Sequence, residues 1–181
     1  DRVATGMKWT GWSYCLMTNH VHLCVTTPEP SLGDGMRNIL GQYSRWVNWK
    51  YGRCDHRFRN RYGAVAVTSD RQLLAVLRYV ALNPVRAALV SDAASWPWSS
   101  YGGLVGEQPL ATFIDVERTL ALFHRRPAHA VARLRHMVDN SDAYTPAAPT
   151  DAKRVALSAL FALLPRDEAI AEARRSGSAF A

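Results

Sequence analysis

The stretch "YCLMTNHVHLCVTTPEP", residues 14–30, places two histidines one residue apart inside an apolar run that is typical of a β-strand. Side chains at positions i and i+2 of a strand point to the same face of a sheet. His20 and His22 are therefore predicted to project together, with the apolar residues that alternate with them on the opposite face. Two imidazoles on one face form half of a metal site. The rest of the chain has to supply the other half.

An antiparallel hairpin is predicted around the turn at residues 18–19. Residues 8–17 alternate as a strand does, which places Trp12, Tyr14 and Leu16 on one face, and residues 20–26 form the second strand. The residues before this hairpin are typical of the tail of a helix, and we expect the chain to be a fragment.

Two helices and a third strand are predicted next. Ser31 is typical of a helix N-cap, and the helical spacing of apolar residues continues as far as the stop signal Gly52. Residues 62–68 resemble a strand. Asp70 is predicted to cap a second helix, which Pro84 is expected to end or kink before a short further helix begins.

The second half of the chain is predicted to be helical. Helices are expected over residues 112–126 and 127–139, followed by a linker rich in Pro, Ala and Thr. Residues 151–175 are predicted to be helical again, with a break near Pro165. Trp96, Pro97 and Trp98 are interpreted as a structural clasp.

Positive charge is concentrated in one segment of this chain. The formal net charge is +7, and residues 37–86 carry ten Arg or Lys residues against two acids. A basic segment of this kind, rich in arginine, is typical of nucleic-acid binding, although a generic arginine-rich surface is the alternative. No apolar run is long enough to span a membrane, and three cysteines without C-x-x-C spacing indicate reduced thiols in the cytoplasm.

The second helix offers candidates to complete the metal site. Tyr79 and Asn83 are four residues apart, so they can lie one above the other on one helix face. An amide oxygen can join two histidines around a metal ion, and a tyrosine can act as a nucleophile that forms a covalent intermediate. The alternatives are that the two histidines are merely exposed polar residues and that Tyr79 is a packing residue.

Three stretches together resemble a known family. "YCLMTNHVHL", "HRFRNRYGAVAVTSDRQLLAVLRYVALNPVRAALV" and "WPWSSY" look like the REP-associated tyrosine transposases, which are single-tyrosine members of the HUH endonuclease superfamily. The resemblance spans roughly residues 9–101. It implies a ferredoxin-like antiparallel sheet with flanking helices, in an α+β fold whose N-terminal strand and helix are missing from this chain, followed by a helical C-terminal region.

The resemblance also assigns roles to the candidate residues. It implies that His20 and His22 bind Mg²⁺ or Mn²⁺, with Asn83 as the third ligand, and that Tyr79 is the catalytic residue. The implied function is that of a metal-dependent endonuclease and strand transferase acting on single-stranded, hairpin-forming DNA through a 5′-phosphotyrosine. We expect a bacterial, cytoplasmic, nucleoid-associated protein, either monomeric or dimeric.

Four segments are expected on this basis: a catalytic domain at residues 1–104, a helical extension at 105–140, a linker at 141–150, and a C-terminal helical segment at 151–181. Two other functions stay open. One is a transposase-derived module that binds hairpin DNA without cutting it, and the other is a metal phosphodiesterase that uses water in place of tyrosine.

Contacts to DNA are predicted for seven arginines. Three of them alternate along an extended segment and are expected to face DNA together, unless that segment is a solvated edge. Trp46 and Trp49 either stack on unpaired bases or, as is commoner for tryptophan, are buried against the sheet. The seven arginines are Arg37, Arg45, Arg57, Arg59, Arg61, Arg78 and Arg86.

Overall fold

The computed structural model describes residues 2–28, 30–58 and 62–140, together with the backbone of a strand at residues 155–160. A single 3₁₀ turn at Ala93–Ser95 separates the first sheet-forming part from the later helices. The other elements are α1 (Arg2–Gly6), β1 (Thr10–Leu16), β2 (His20–Thr26), α2 (Leu32–Tyr51), β3 (Gly63–Ala66), α3 (Asp70–Arg86), α4 (Ser100–Leu104), α5 (Val116–Ala121), α6 (Pro127–Asp139) and β4 (Val155–Leu160). The predicted α+β class, an antiparallel sheet flanked by helices and followed by a helical C-terminal part, is confirmed.

Strands β1 and β2 form the predicted antiparallel hairpin, but β1 contains an irregularity. The register shifts between Gly11 and Ser13, so the regular alternation of side chains is interrupted at Trp12. Trp12 packs in the core cluster under α3, whereas Tyr14 packs against the C-terminal helices and Leu16 is exposed. The prediction that these three residues share one face is therefore wrong, because it assumed a strand without a bulge.

The sheet has the order β1-β2-β4-β3, with β4 paired antiparallel to both β2 and β3. The helix that the sequence predicts over residues 155–160 is wrong, since these residues form β4. A short apolar run cannot be assigned to helix or strand from its periodicity alone, and here backbone partners exist on both sides. The predicted linker and the remainder of the C-terminal helical segment lie outside the described residues.

The outer edge of β1 is covered by two segments from the second half of the chain. Leu16 N donates to Trp98 O at 2.8 Å, and Gly11 N donates to Phe113 O at 2.9 Å. Trp96 Nε1 donates to Leu16 O at 2.9 Å, which confirms the predicted clasp. These contacts pair backbone groups that an edge strand would otherwise leave open.

Helix α2 lies on one face of the sheet and ends as predicted. Gly52 adopts the left-handed conformation, with φ 60°, that commonly closes a helix. Ser31 stands at the N-cap position, but its hydroxyl accepts a hydrogen bond from Trp9 Nε1 at 3.0 Å and makes no cap hydrogen bond. Val25 of β2 and Met36 of α2 are buried in the same cluster, which fixes α2 against this face.

Helix α3 covers the opposite face of the sheet, and it differs from the prediction at both ends. Ser69, not Asp70, is the N-cap, and its side chain accepts from Gln72 N at 3.2 Å. The helix continues through Pro84 to Arg86. Pro84 has no N–H to donate to the carbonyl of Val80, so the helix loses one hydrogen bond near its C-terminal end and continues beyond it.

The C-terminal helices pack directly on α3. A core cluster joins Ala81 of α3 to Tyr101 and Leu104 of α4 and to Leu134 and Val138 of α6. No helix among the described residues is long and apolar enough to cross a membrane. The boundary expected at residues 104–105 stays a prediction.

Candidate active site

The histidine-bearing strand and helix α3 meet on one face of the sheet. His22 and Cys24 are buried on β2, and Cys24 shares its cluster with Leu73 and Leu77 of α3. Because side chains alternate along β2, the face that carries the histidines and Cys24 packs toward α3, and the face that carries Val25 packs toward α2. Cys24 is packed at 2% exposure, because the apolar side of α3 covers it.

The two histidines are in direct contact. His20 Nε2 lies 2.9 Å from His22 Nε2, and the two rings are perpendicular with centroids 4.7 Å apart. His20 Nδ1 donates to Asn19 Oδ1 at 2.7 Å, which leaves the lone pair of the neutral ring on Nε2, the atom that faces His22 Nε2. Histidines that bind a metal through one ring nitrogen commonly donate the N–H of the other to an oxygen, and Nδ1 of His20 does this with Asn19.

Burial keeps both imidazoles neutral. Desolvation lowers the pKa of His20, and it lowers the pKa of His22 to about 4, with a further decrease from the adjacent His20. A hydrogen bond with the side chain of Asn83 raises the pKa of His22 in part. At neutral pH each ring therefore has one nitrogen with a lone pair, which is the protonation state that a metal ligand requires.

Tyr79 and Asn83 complete this arrangement from α3. The rings of His22 and Tyr79 meet edge to face with centroids 5.3 Å apart, and Tyr79 is 42% exposed. Asn83 Nδ2 donates to Tyr79 O at 2.7 Å. The side chain of Asn83 also forms a hydrogen bond with that of His22. Tyr79 thus presents its phenol to solvent beside the histidine pair.

The donor set leaves positions open around a divalent cation. The amide oxygen suits Mg²⁺ or Mn²⁺, whereas imidazole nitrogens more often bind Zn²⁺, Cu²⁺, Fe²⁺ or Ni²⁺, and three protein ligands leave room for phosphate oxygens. Within residues 2–28, 30–58 and 62–140, no group of three or more His, Cys, Asp and Glu side chains lies together. A metal at this site would therefore depend on Asn83 in place of a carboxylate.

The structure separates the predicted DNA-binding arginines into three groups. Arg37, Arg45 and Arg86 are exposed, and Arg86 Cζ lies 5.5 Å from the centroid of the Tyr79 ring. Arg37 also pairs with Asp34 at 3.2 Å. Arg59 and Arg61 lie outside the described residues.

The remaining two arginines are buried and bonded within the protein. Arg57 Nε donates to Asn48 Oδ1 at 2.9 Å, and its Nη2 lies 2.7 Å from Asp55 Oδ2. Arg78 Nε and Nη2 donate to the carbonyl oxygens of Met137 and Asn140, each at 2.7 Å. The guanidinium groups of both are occupied by these contacts, which disfavours a direct contact with DNA.

Trp46 and Trp49 are not buried against the sheet, as tryptophan more commonly is. They are 47% and 80% exposed, respectively, on the outer side of α2. The residue that the sequence did not single out is Asn19, which orients His20. Its place in the turn directly before the histidine strand was the available signal.

Residues 1–83 match the protein-family model described as "Transposase IS200 like". The matched part of the chain contains His20, His22, Tyr79 and Asn83. It is similar to an IS200-like transposase domain, and the match supports a transposase function with DNA as the partner. No curated protein and no solved structure shows a significant match to the chain.

Proposed function

We propose that this protein is a metal-dependent single-stranded DNA endonuclease and strand transferase of the REP-associated type, with Tyr79 as its nucleophile. The observation that carries the proposal is the contact of Tyr79 with His22, which in turn contacts His20, with Asn83 one helical turn away. Its substrate is hairpin-forming DNA in the cytoplasm. The match of residues 1–83 to IS200-like transposases supports the same class of reaction.

In the proposed reaction, the phenol oxygen of Tyr79 attacks the phosphorus of a phosphodiester. The bond from phosphorus to the 3′ oxygen breaks, and the phenol proton passes to solvent while the leaving oxygen takes up a proton. The products are a 5′-phosphotyrosine and a free 3′-OH. A second 3′-OH reverses this exchange, so strands can be joined without an external energy source.

His20, His22 and Asn83 are the residues that would hold Mg²⁺ or Mn²⁺. When bound, the metal stabilises the negative charge that develops on the phosphate oxygens. The histidines contribute by remaining neutral, which their burial ensures, and Asn19 contributes by fixing the ring of His20. Since the ligands lie on β2 and α3, the sheet and the helix together set the position of the phosphate relative to Tyr79.

Exposed arginines supply the charge that attracts the DNA strand. Arg86 lies over the Tyr79 ring, so its guanidinium can contact the phosphate that Tyr79 attacks. Arg37 and Arg45 are exposed on α2 and contact the DNA backbone at a distance from the cleaved bond. We assign no such contact to Arg57 or Arg78.

The proposal is tested by incubating the protein with labelled single-stranded hairpin DNA and Mn²⁺ and separating the products under denaturing conditions. We expect a covalent protein–DNA band that disappears in Tyr79→Phe and in His20→Ala. Tyr79→Phe removes only the hydroxyl of an exposed residue, so it keeps the fold intact. DNA cleavage that survives in Tyr79→Phe would indicate water as the nucleophile and refute the proposal. DNA that is retarded on a native gel, with no covalent adduct and no cleavage, would also refute the proposal. It would indicate a module that binds DNA without cutting it.

A further inference from the structure

The outer side of α2 carries large aromatic side chains that have no place in the protein core. Trp49 is 80% exposed and Trp46 is 47% exposed. They are three residues apart, so they lie on neighbouring positions of one helix face. We call Tyr43, Trp46, Trp49 and Lys50 the tryptophan face of α2.

Two of the aromatic groups of this face, Tyr43 and Trp46, contact neighbouring rings. The ring centroids of Tyr43 and Trp46 are 6.2 Å apart, and those of Tyr43 and Phe58 are 6.0 Å apart. The loop after α2 is fixed to the helix because Asn48 Nδ2 donates to Asp55 O at 3.1 Å. Trp46 therefore rests against Tyr43 on one side, whereas Trp49 is open to solvent over most of its surface.

Positive charge surrounds the tryptophan face. Lys50 Nζ lies 5.0 Å from the centroid of the Trp46 ring, and Arg45 is exposed one residue before Trp46. Between residues 37 and 58 the acidic side chain is that of Asp55, which is paired with Arg57. Exposed aromatic rings among cations suit a ligand that has both flat aromatic groups and negative charge.

We propose that the tryptophan face of α2 binds a single-stranded DNA segment, with unpaired bases stacked on Trp46 and Trp49 and phosphates beside Lys50 and Arg45. Stacking on aromatic side chains tolerates every base because each base has a flat π-face, and a basic surface follows the backbone. A second copy of the chain suits this face less, since the formal charge of +7 opposes self-association.

This surface lies on the opposite side of the sheet from Tyr79. Helix α2 packs on the Val25 side of β2, whereas α3 packs on the Cys24 side. A DNA segment bound to the tryptophan face therefore does not contain the cleaved bond. We infer that it is the part of the strand that flanks this bond. The inference rests on the proposed function in taking a DNA strand as partner, but it does not require the chemistry of Tyr79.

The test measures the affinity of the full chain for a fluorescently labelled oligothymidylate by anisotropy, with an abasic strand of equal length for comparison. We expect Trp49→Ala to weaken binding of oligothymidylate roughly tenfold. Trp49→Phe should retain most of the affinity because it keeps an aromatic ring. The abasic strand should bind wild type and Trp49→Ala equally, since only the phosphates remain to be contacted.

Two matched controls define the outcome. Val116→Ala truncates a side chain that is 40% exposed on α5, and Arg125→Gln removes an exposed charge from the loop before α6. Neither should change the affinity for oligothymidylate. Trp49→Ala binding as tightly as wild type would overturn the inference. The inference would also be overturned if Trp49→Ala no longer self-associates in sedimentation but keeps its affinity for DNA. That result would identify a second copy of the chain as the occupant of the tryptophan face.

Failure of this inference and failure of the proposed function give different results. If the inference alone is wrong, wild type and Trp49→Ala form the covalent adduct with equal dependence on DNA concentration. If the proposed function alone is wrong, no adduct forms, while binding of oligothymidylate still depends on Trp49.

Discussion

Arg78 provides a sharp test of how the structure assigns its basic residues. The sequence places it in the basic segment directly before Tyr79 and predicts a DNA contact, whereas the structure buries it between α3 and the end of α6. Its guanidinium donates to the carbonyl oxygens of Met137 and Asn140, each at 2.7 Å. These carbonyls are among those that a helix end leaves without an internal partner. Arg78 therefore attaches α6 to α3.

The loss in the free energy of unfolding on removing Arg78 can be worked out from its two hydrogen bonds. A hydrogen bond to a charged group contributes about 1.5–3 kcal/mol, and water replaces part of this at the exposed end of α6. We expect Arg78→Met to lower the free energy of unfolding by about 3 kcal/mol. For a domain of this size, that corresponds to a decrease in Tm of about 6–12 °C.

Thermal unfolding followed by circular dichroism measures this change, with Arg37→Gln as the control on an exposed arginine. Arg78→Lys should show about half of the decrease in Tm that Arg78→Met shows, because an ammonium group cannot reach both carbonyls as a guanidinium does. The salt dependence of DNA binding should be unchanged in Arg78→Met. The reasoning is refuted if Tm stays constant and the slope of log affinity against log salt falls by about one, as expected for a lost phosphate contact.

Three further predictions concern stability. In Gly35→Ala the new Cβ would overlap the indole of Trp9, so we expect the free energy of unfolding, measured in urea, to fall by about 1–3 kcal/mol. Gly41 lies in an open position of the same helix, so Gly41→Ala should raise the free energy of unfolding by about 0.5–1 kcal/mol. The pKa of His22 in the folded protein, about 4, lies below its ordinary value of 6.5, so the unfolded chain takes up the proton first as the pH falls. Stability should decrease by about 3 kcal/mol between pH 6.5 and 4, and His22→Leu should remove most of this dependence in pH-resolved unfolding curves. The buried hydroxyl of Thr119 has no hydrogen-bond partner among the described residues, so Thr119→Val should raise the free energy of unfolding by about 1 kcal/mol, and a decrease would indicate an unseen partner such as water.

Local patterns predicted the parts of the site that depend on neighbouring residues in the sequence. The i, i+2 spacing of His20 and His22 determines that they share a face of β2, and the i, i+4 spacing of Tyr79 and Asn83 determines that they share a face of α3. The structure brings both pairs together. Their roles in binding a metal and cleaving DNA stay predictions.

Features that depend on distant residues were not predictable in the same way. The charge of Arg78 is evident from the sequence, but its burial depends on carbonyl groups 59 and 62 residues away. The bulge in β1 moves Trp12 out of the alternating pattern, and the adjacent Gly11 indicates that a bulge can occur there but not which side chain is displaced. The strand at residues 155–160 likewise depends on pairing with β2 and β3, which its own apolar sequence does not specify.

The central claim is that Tyr79 forms a covalent bond with DNA, and peptide mapping tests it most directly. The protein is allowed to react with a hairpin DNA strand in the presence of Mn²⁺, the DNA is digested to the linked nucleotide, and the peptides are analysed by mass spectrometry. The account predicts a nucleotide attached to the peptide that contains Tyr79, and to no other tyrosine. Attachment to a different residue, or cleaved DNA with no modified peptide, would contradict it.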